Sequence, residues 1–203
     1  MYKRLLACVL SAVLLGGAAN ATIVGVGGAG QIFDATGLTA VTNATPGSNT
    51  NILGFDEAQG VLVATDLFVD GGFNLNGLLV DSHMIFLNRE SGTSLLELSA
   101  SFSFSGDILG VMTSIDGSLL QASDGILGLA GVTYDNFSNR GFESGDTVNF
   151  AGSSLDTFMR VTQPGDWMRV VTVSAVPVPA GAVLLPTALA LLGAASRRRR
   201  RAA

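Results

Sequence analysis

The clearest pattern along the chain is strict alternation between Leu96 and Phe104. Leu96, Leu98, Ala100, Phe102 and Phe104 share one face, and Glu97, Ser99, Ser101 and Ser103 share the other. That is the signature of a strand with one face in a core and one in water. Val61 to Val69 alternates in the same way, with Val61, Val63, Leu67 and Val69 inward and Asp66 outward, and predicts a second such strand. His83 to Leu87 reads as a shorter apolar strand. Further on the pattern predicts a meander: a strand over Thr147 to Ala151, a turn at Gly152-Ser153-Ser154, then a hairpin pairing Thr157 to Thr162 with Trp167 to Ser174. The turn of that hairpin would be Gln163-Pro164-Gly165-Asp166, where Pro164 presets φ at the second position and Gly165 accepts a positive φ at the third. One helical turn is predicted at Ser118 to Ala122, with Ser118 and Gln121 at capping-box spacing. Many short strands joined by glycine-rich turns predict an all-β fold, an antiparallel β-sandwich or jelly-roll-like domain.

The two ends depart from this pattern. Lys3 and Arg4 form a charged start, Leu5 to Ala19 an apolar run, and Ala19-Asn20-Ala21 a small-x-small site. These are the three parts of a secretory signal peptide. The expectation is a signal over residues 1–21, cut after Ala21 so that the mature chain begins at Thr22. Cys8, the sole cysteine, would leave with it, and the exported body would carry no disulfide. At the other end Val176-Pro177-Val178-Pro179-Ala180 leads into an apolar stretch. From Ala180 to Ser196 there are 17 residues without a charge, enough for a short membrane-spanning helix over 180–196. Arg197, Arg198, Arg199, Arg200 and Arg201 follow, and such a run stays on the cytoplasmic side as a membrane stop. The chain thus divides into a signal (1–21), an extracytoplasmic β domain (22–175) and a C-terminal segment (176–203).

Charge sharpens this division. The whole chain of 203 residues has a formal charge of −5, yet its 16 acidic residues all lie between the two basic ends. There they face only Arg89, Arg140, Arg160 and Arg169, a net of −12. So acidic a body excludes a nucleic-acid partner, which requires a basic face. Charged residues are 13% of the chain, about half the usual share for a soluble domain, roughly 25%.

The C-terminal segment resembles the PEP-CTERM protein-sorting signal of Gram-negative bacteria, in its VPLPA-type variant. Val176, Pro177, Pro179 and Ala180 carry the motif, followed by the short apolar helix and the Arg cluster. It departs at Val178, where the name motif has Glu and the variant Leu. The resemblance implies recognition by an exosortase-type membrane protease that cuts near Pro179. It implies an inner-membrane-anchored precursor, then a cell-surface or extracellular-matrix product associated with exopolysaccharide and biofilm. Asn139-Arg140-Gly141-Phe142-Glu143 and Gln163-Pro164-Gly165-Asp166-Trp167 are similar to stretches in bodies of other PEP-CTERM proteins, a likeness that implies no assigned activity.

The chemical inventory is thin. Gly25-Val26-Gly27-Gly28-Ala29-Gly30 fits G-x-G-x-x-G, but no helix is predicted after it and no acidic residue stands about 20 positions on. His83 is the only histidine; Asp81 shares its strand face and would supply a second metal ligand, short of the three or four of a zinc site. Any Ser-His-Asp triad would have to use His83. Asp56, Glu57, Glu143, Asp146 and Asp156 are available as paired carboxylates for a glycoside hydrolase. Asp70-Gly71-Gly72-Phe73-Asn74-Leu75-Asn76, Asp116-Gly117, Asp124-Gly125 and Asp135-Asn136 are oxygen-rich clusters of the kind calcium takes, or simply turns. The expected function is a non-enzymatic exported surface protein with no catalytic residue, cofactor or metal assigned. The alternative is a carbohydrate-binding module, calcium-dependent if those clusters ligate, with Trp167, Tyr134, Asp135 and Asn136 as contact candidates.

Overall fold

The structure, a computed structural model, describes residues 20–43, 45–92 and 94–174. The expected signal peptide and C-terminal segment lie outside the described residues, except Asn20 and Ala21. Among the described residues no helix is long and apolar enough to cross a membrane.

The described chain is mostly β and is consistent with a β-sandwich. Four strands form an outer antiparallel sheet: β1 (Ile23–Gly28), β7 (Leu96–Phe104), β11 (Ser154–Val161) and β10 (Thr147–Ala151), in the order β1-β7-β11-β10. A larger, central sheet runs β2 (Gly30–Ile32), β4 (Ile52–Asp56), β6 (Leu79–Leu87), β12 (Asp166–Val173), β8 (Ile108–Met112), with β5 (Val61–Leu62) also pairing β6. Only its β2–β4 pair is parallel. β3 (Ala40–Val41) and β9 (Thr133–Tyr134) form a small parallel pair. Among the described residues there is one α-helix, α1, spanning Ser118–Leu127.

Two cores follow from this stacking. Between the sheets, Ala100, Phe102, Phe104, Leu155 and Met159 of the outer sheet meet Ile52, Ile85, Leu87, Val111, Met168 and Val170 of the central sheet. On the far face of the central sheet, Phe55, Met84, Phe86, Trp167 and Val171 pack against Leu120 and Leu127 of α1 and against loop residues Val63, Leu67, Leu75 and Phe137. The central sheet is therefore covered on both sides.

β7 and β10 form with the predicted bounds, and β10 and β11 make a hairpin across Gly152-Ser153. Other expectations need correction. The segments before and after Pro164 do not pair: β11 joins the outer sheet and β12 the central one. Gly165 is absent from the positive-φ glycines, so no type II turn forms. Its small size matters instead, because a Cβ there would lie 2.3 Å from the Leu87 carbonyl oxygen. Val61 to Val69 keeps its alternating burial, but only Val61–Leu62 is a strand. The Asp66 carboxylate captures the side-chain amides of Asn74 and Asn76, and the Leu67 amide donates to Asn74, which turns the chain away from the ladder. The helix is twice the predicted length. The capping box does not form; the Ser114 hydroxyl accepts from Leu119 N–H and the Asp116 carboxylate from Ser118 N–H.

The G-x-G-x-x-G stretch is a corner between the sheets. β1 ends at Gly28, β2 starts at Gly30, and Gly28 has φ of 61° with Ser99 O 2.7 Å from where a Cβ would stand. A left-handed turn pressed against a neighbouring strand accepts only glycine.

Candidate functional site

The polar side chains of the central sheet are sorted onto its two faces by the pleat. On the face toward the outer sheet, His83 is fully buried. Its Nδ1 lies 2.7 Å from Asp56 Oδ1 and its Nε2 3.0 Å from Thr172 Oγ1, with the Phe104 ring 4.7 Å away between centroids. Hydroxyl, imidazole and carboxylate in series have the order of a nucleophilic triad. However, Thr172, the last residue but one of β12, is fully buried, so no substrate carbonyl reaches its oxygen. Asp56 also accepts the Ile23 amide, which makes this chain a clamp on β1. Asp81 does not join His83 as a ligand pair. Its carboxylate accepts the backbone amides of Ala21 and Gly60.

On the opposite face stands a network that the sequence did not announce. Arg169 grips Glu57 with two bonds, Nε to Oε2 at 2.7 Å and Nη2 to Oε1 at 2.8 Å. Nη1 donates to Leu120 O and Ser123 Oγ at the helix, and Nη2 also reaches Asp124 at 3.4 Å. Glu57 further accepts the hydroxyls of Ser82 and Tyr134, and Tyr134 accepts Leu129 N–H. Burial disfavours the Arg169 charge, but the Glu57 carboxylate outweighs it and raises its pKa. Burial, then Glu57, pushes the Tyr134 hydroxyl well above its ordinary value. Burial also raises Asp124 against the pull of Arg169. This closed network fastens α1 and β9 to β12. Its one signal in the sequence was a lone Arg inside the apolar run Trp167-Met168-Arg169-Val170-Val171.

A third cluster surrounds Trp167, which is fully buried and donates Nε1–H to Asn88 at 2.7 Å. The Arg140 guanidinium lies 4.2 Å over its ring. Phe137 and Tyr134 meet its edge at 5.8 and 6.5 Å. Trp167 is thus no sugar platform, and Tyr134 spends its hydroxyl on Glu57. Of the four proposed contacts only Asp135 and Asn136 stay exposed, beside a cleft of about 220 Å³ shared with Arg140 and Pro164. Neighbouring Asp166 is buried, and its Oδ2 and Arg140 Nη1 have no hydrogen-bond partner among the described residues. Burial, with help from Asp146 and Glu143 and against Arg140, pushes the Asp166 carboxyl up to about 8. Burial lowers Arg140, with Asp135 and Asp166 opposing.

The carboxylates suggested for hydrolysis do not gather in one site; only Glu143 and Asp146 are neighbours, beside Asp166. Glu57 belongs to Arg169 and Asp56 to His83; Asp146 binds the Glu143 and Arg160 amides; Asp156 stands on the outer sheet. The calcium clusters are dispersed too. Asp70 accepts from Thr113, Asp116 from Ser118, Asp124 from Arg169, and Asp135 from Asn136. Among the described residues no three His, Cys, Asp or Glu side chains group closely enough to hold a metal ion.

The open face of the outer sheet differs from all of these. Register places Gly27, Ser101, Asp156 and Asn149 side by side across four strands, with Ser99, Phe158 and Thr147 in the next row. All of these except Gly27 line a shallow cleft of about 330 Å³, together with Gly28, Ala100 and Thr157. Comparison with known proteins gives no matching family model, no matching curated protein and no matching solved structure.

Proposed function

We propose that this is an exported, non-enzymatic protein of the cell surface or extracellular matrix of a Gram-negative bacterium. The observation that carries this reading is the order of segments: signal-like start, acidic body, Val176-Pro177-x-Pro179-Ala180, apolar run, five Arg. On this reading an exosortase-type protease processes an inner-membrane precursor near Pro179, and the product joins exopolysaccharide or biofilm. The body is read as a jelly-roll-like sandwich, supported by the passage of the chain from β6 to β7 to β8 across the sheets and back. The use of His83, Glu57 and Arg169 inside the fold supports a structural rather than catalytic body. Deleting residues 176–203 should move the protein to a different cell fraction. Unchanged distribution of the truncated protein between membrane, surface and medium would refute the sorting role.

The second reading, carbohydrate binding, is supported by the outer-sheet cleft rather than by Trp167. Hydroxyls of Ser99, Ser101 and Thr147, the amide of Asn149 and the carboxylate of Asp156 offer donors and acceptors beside the Phe158 ring. That mixture suits a polyhydroxylated chain lying across the strands.

A further inference from the structure

The first described residues are built into the sandwich. Ala21 is 1% exposed, and its methyl group packs against Gly106 so closely that a Cβ on that glycine would lie 2.9 Å away. Its amide donates to Asp81 Oδ2, while Gly60 N–H serves Asp81 Oδ1. Asp81 has no exposed surface, and no ion pair reaches its carboxylate among the described residues. Two backbone amides therefore satisfy a carboxyl group held out of water. Asn20 also has a place: its Oδ1 stands 3.6 Å from where a Gly60 Cβ would be. Beyond Ala21 the ladder begins, with Thr22 and Ser105 bonded in both directions.

A cut after Ala21 would remove a buried side chain and half of the donors around Asp81. The small-x-small requirement is met equally two residues upstream, by Gly17-Ala18-Ala19. We infer that signal peptidase cleaves between Ala19 and Asn20, and that Asp81 is the receptor that seats the new N-terminal segment in the fold. This cut keeps the Ala21 amide on Asp81 and puts the new α-ammonium one residue away from it, a favourable charge for a buried carboxylate. The inference rests on the export reading, and the experiment separates the two. The full-length chain is expressed in a Gram-negative host, the exported protein is purified, and its first residues are read by N-terminal sequencing and intact mass. A mature start at Asn20 is the expected result. A start at Thr22 overturns the inference and leaves export standing. An exported chain still beginning at Met1 overturns the inference, and a chain recovered only from the cytoplasm with Met1 intact overturns both.

Discussion

β6 and β7 are both nine-residue antiparallel strands, and they are stabilised in opposite ways. β7 turns Ala100, Phe102 and Phe104 into the core and leaves its serines facing outward. β6 is buried at eight of its nine positions, including Asp81, Ser82 and His83. A strand with one wet face can leave its polar groups to water. A strand covered twice must find each buried polar group a protein partner. The outer sheet therefore rests on alternation, and the central sheet on closed hydrogen-bond networks that fail if one member is removed.

The contrast can be broken most forcefully at Arg169. Arg169→Met leaves Glu57 buried without its cation and should cost about 3–5 kcal/mol, read as a fall in the urea midpoint of unfolding. The next largest effect is a pH dependence located at Asp166. Its carboxyl is raised from the unfolded value of 3.8 to about 8. The folded state therefore holds the proton more tightly than the unfolded state between those values. Its stability is fully present below about pH 4 and is lost as pH rises toward 8, by on the order of 2–4 kcal/mol. Asp166→Asn should flatten that slope and make the variant more stable than the parent near pH 8. A parent whose denaturation midpoint does not fall over this range would refute the assignment. The smallest effect on stability belongs to the open face. Asp156→Ala should change the unfolding free energy by less than about 0.5 kcal/mol. On the carbohydrate reading it should also weaken retention on the host's polysaccharide; equal retention of parent and variant would count against that reading.

The same contrast governs what could be read in advance. β7 was legible to the residue because water on one side enforces period 2. β6 extends beyond the apolar run His83–Leu87 because Asp81 and Ser82, polar in sequence, are buried against partners in distant segments. Glu57 and Arg169 are 112 positions apart, and no local pattern signals such a pair. The supposed hairpin at Pro164 failed for a related reason: local turn chemistry cannot state which sheet the next strand enters. Trp167, a contact candidate in the sequence, is buried instead, because Asn88, Phe137 and Arg140 from distant segments close around it.

The position of β12 has a consequence for the order in which the chain can fold. This strand, the last among the described residues, is inserted between β6 and β8 rather than added at an edge. The middle of the central sheet therefore stays open until nearly the whole body has been synthesised. Contacts that close so late along the chain make for slow, all-or-nothing assembly. An emerging chain of this topology holds little of its central sheet until that point. Its two halves can lock together only when the strand next to Val176 has arrived.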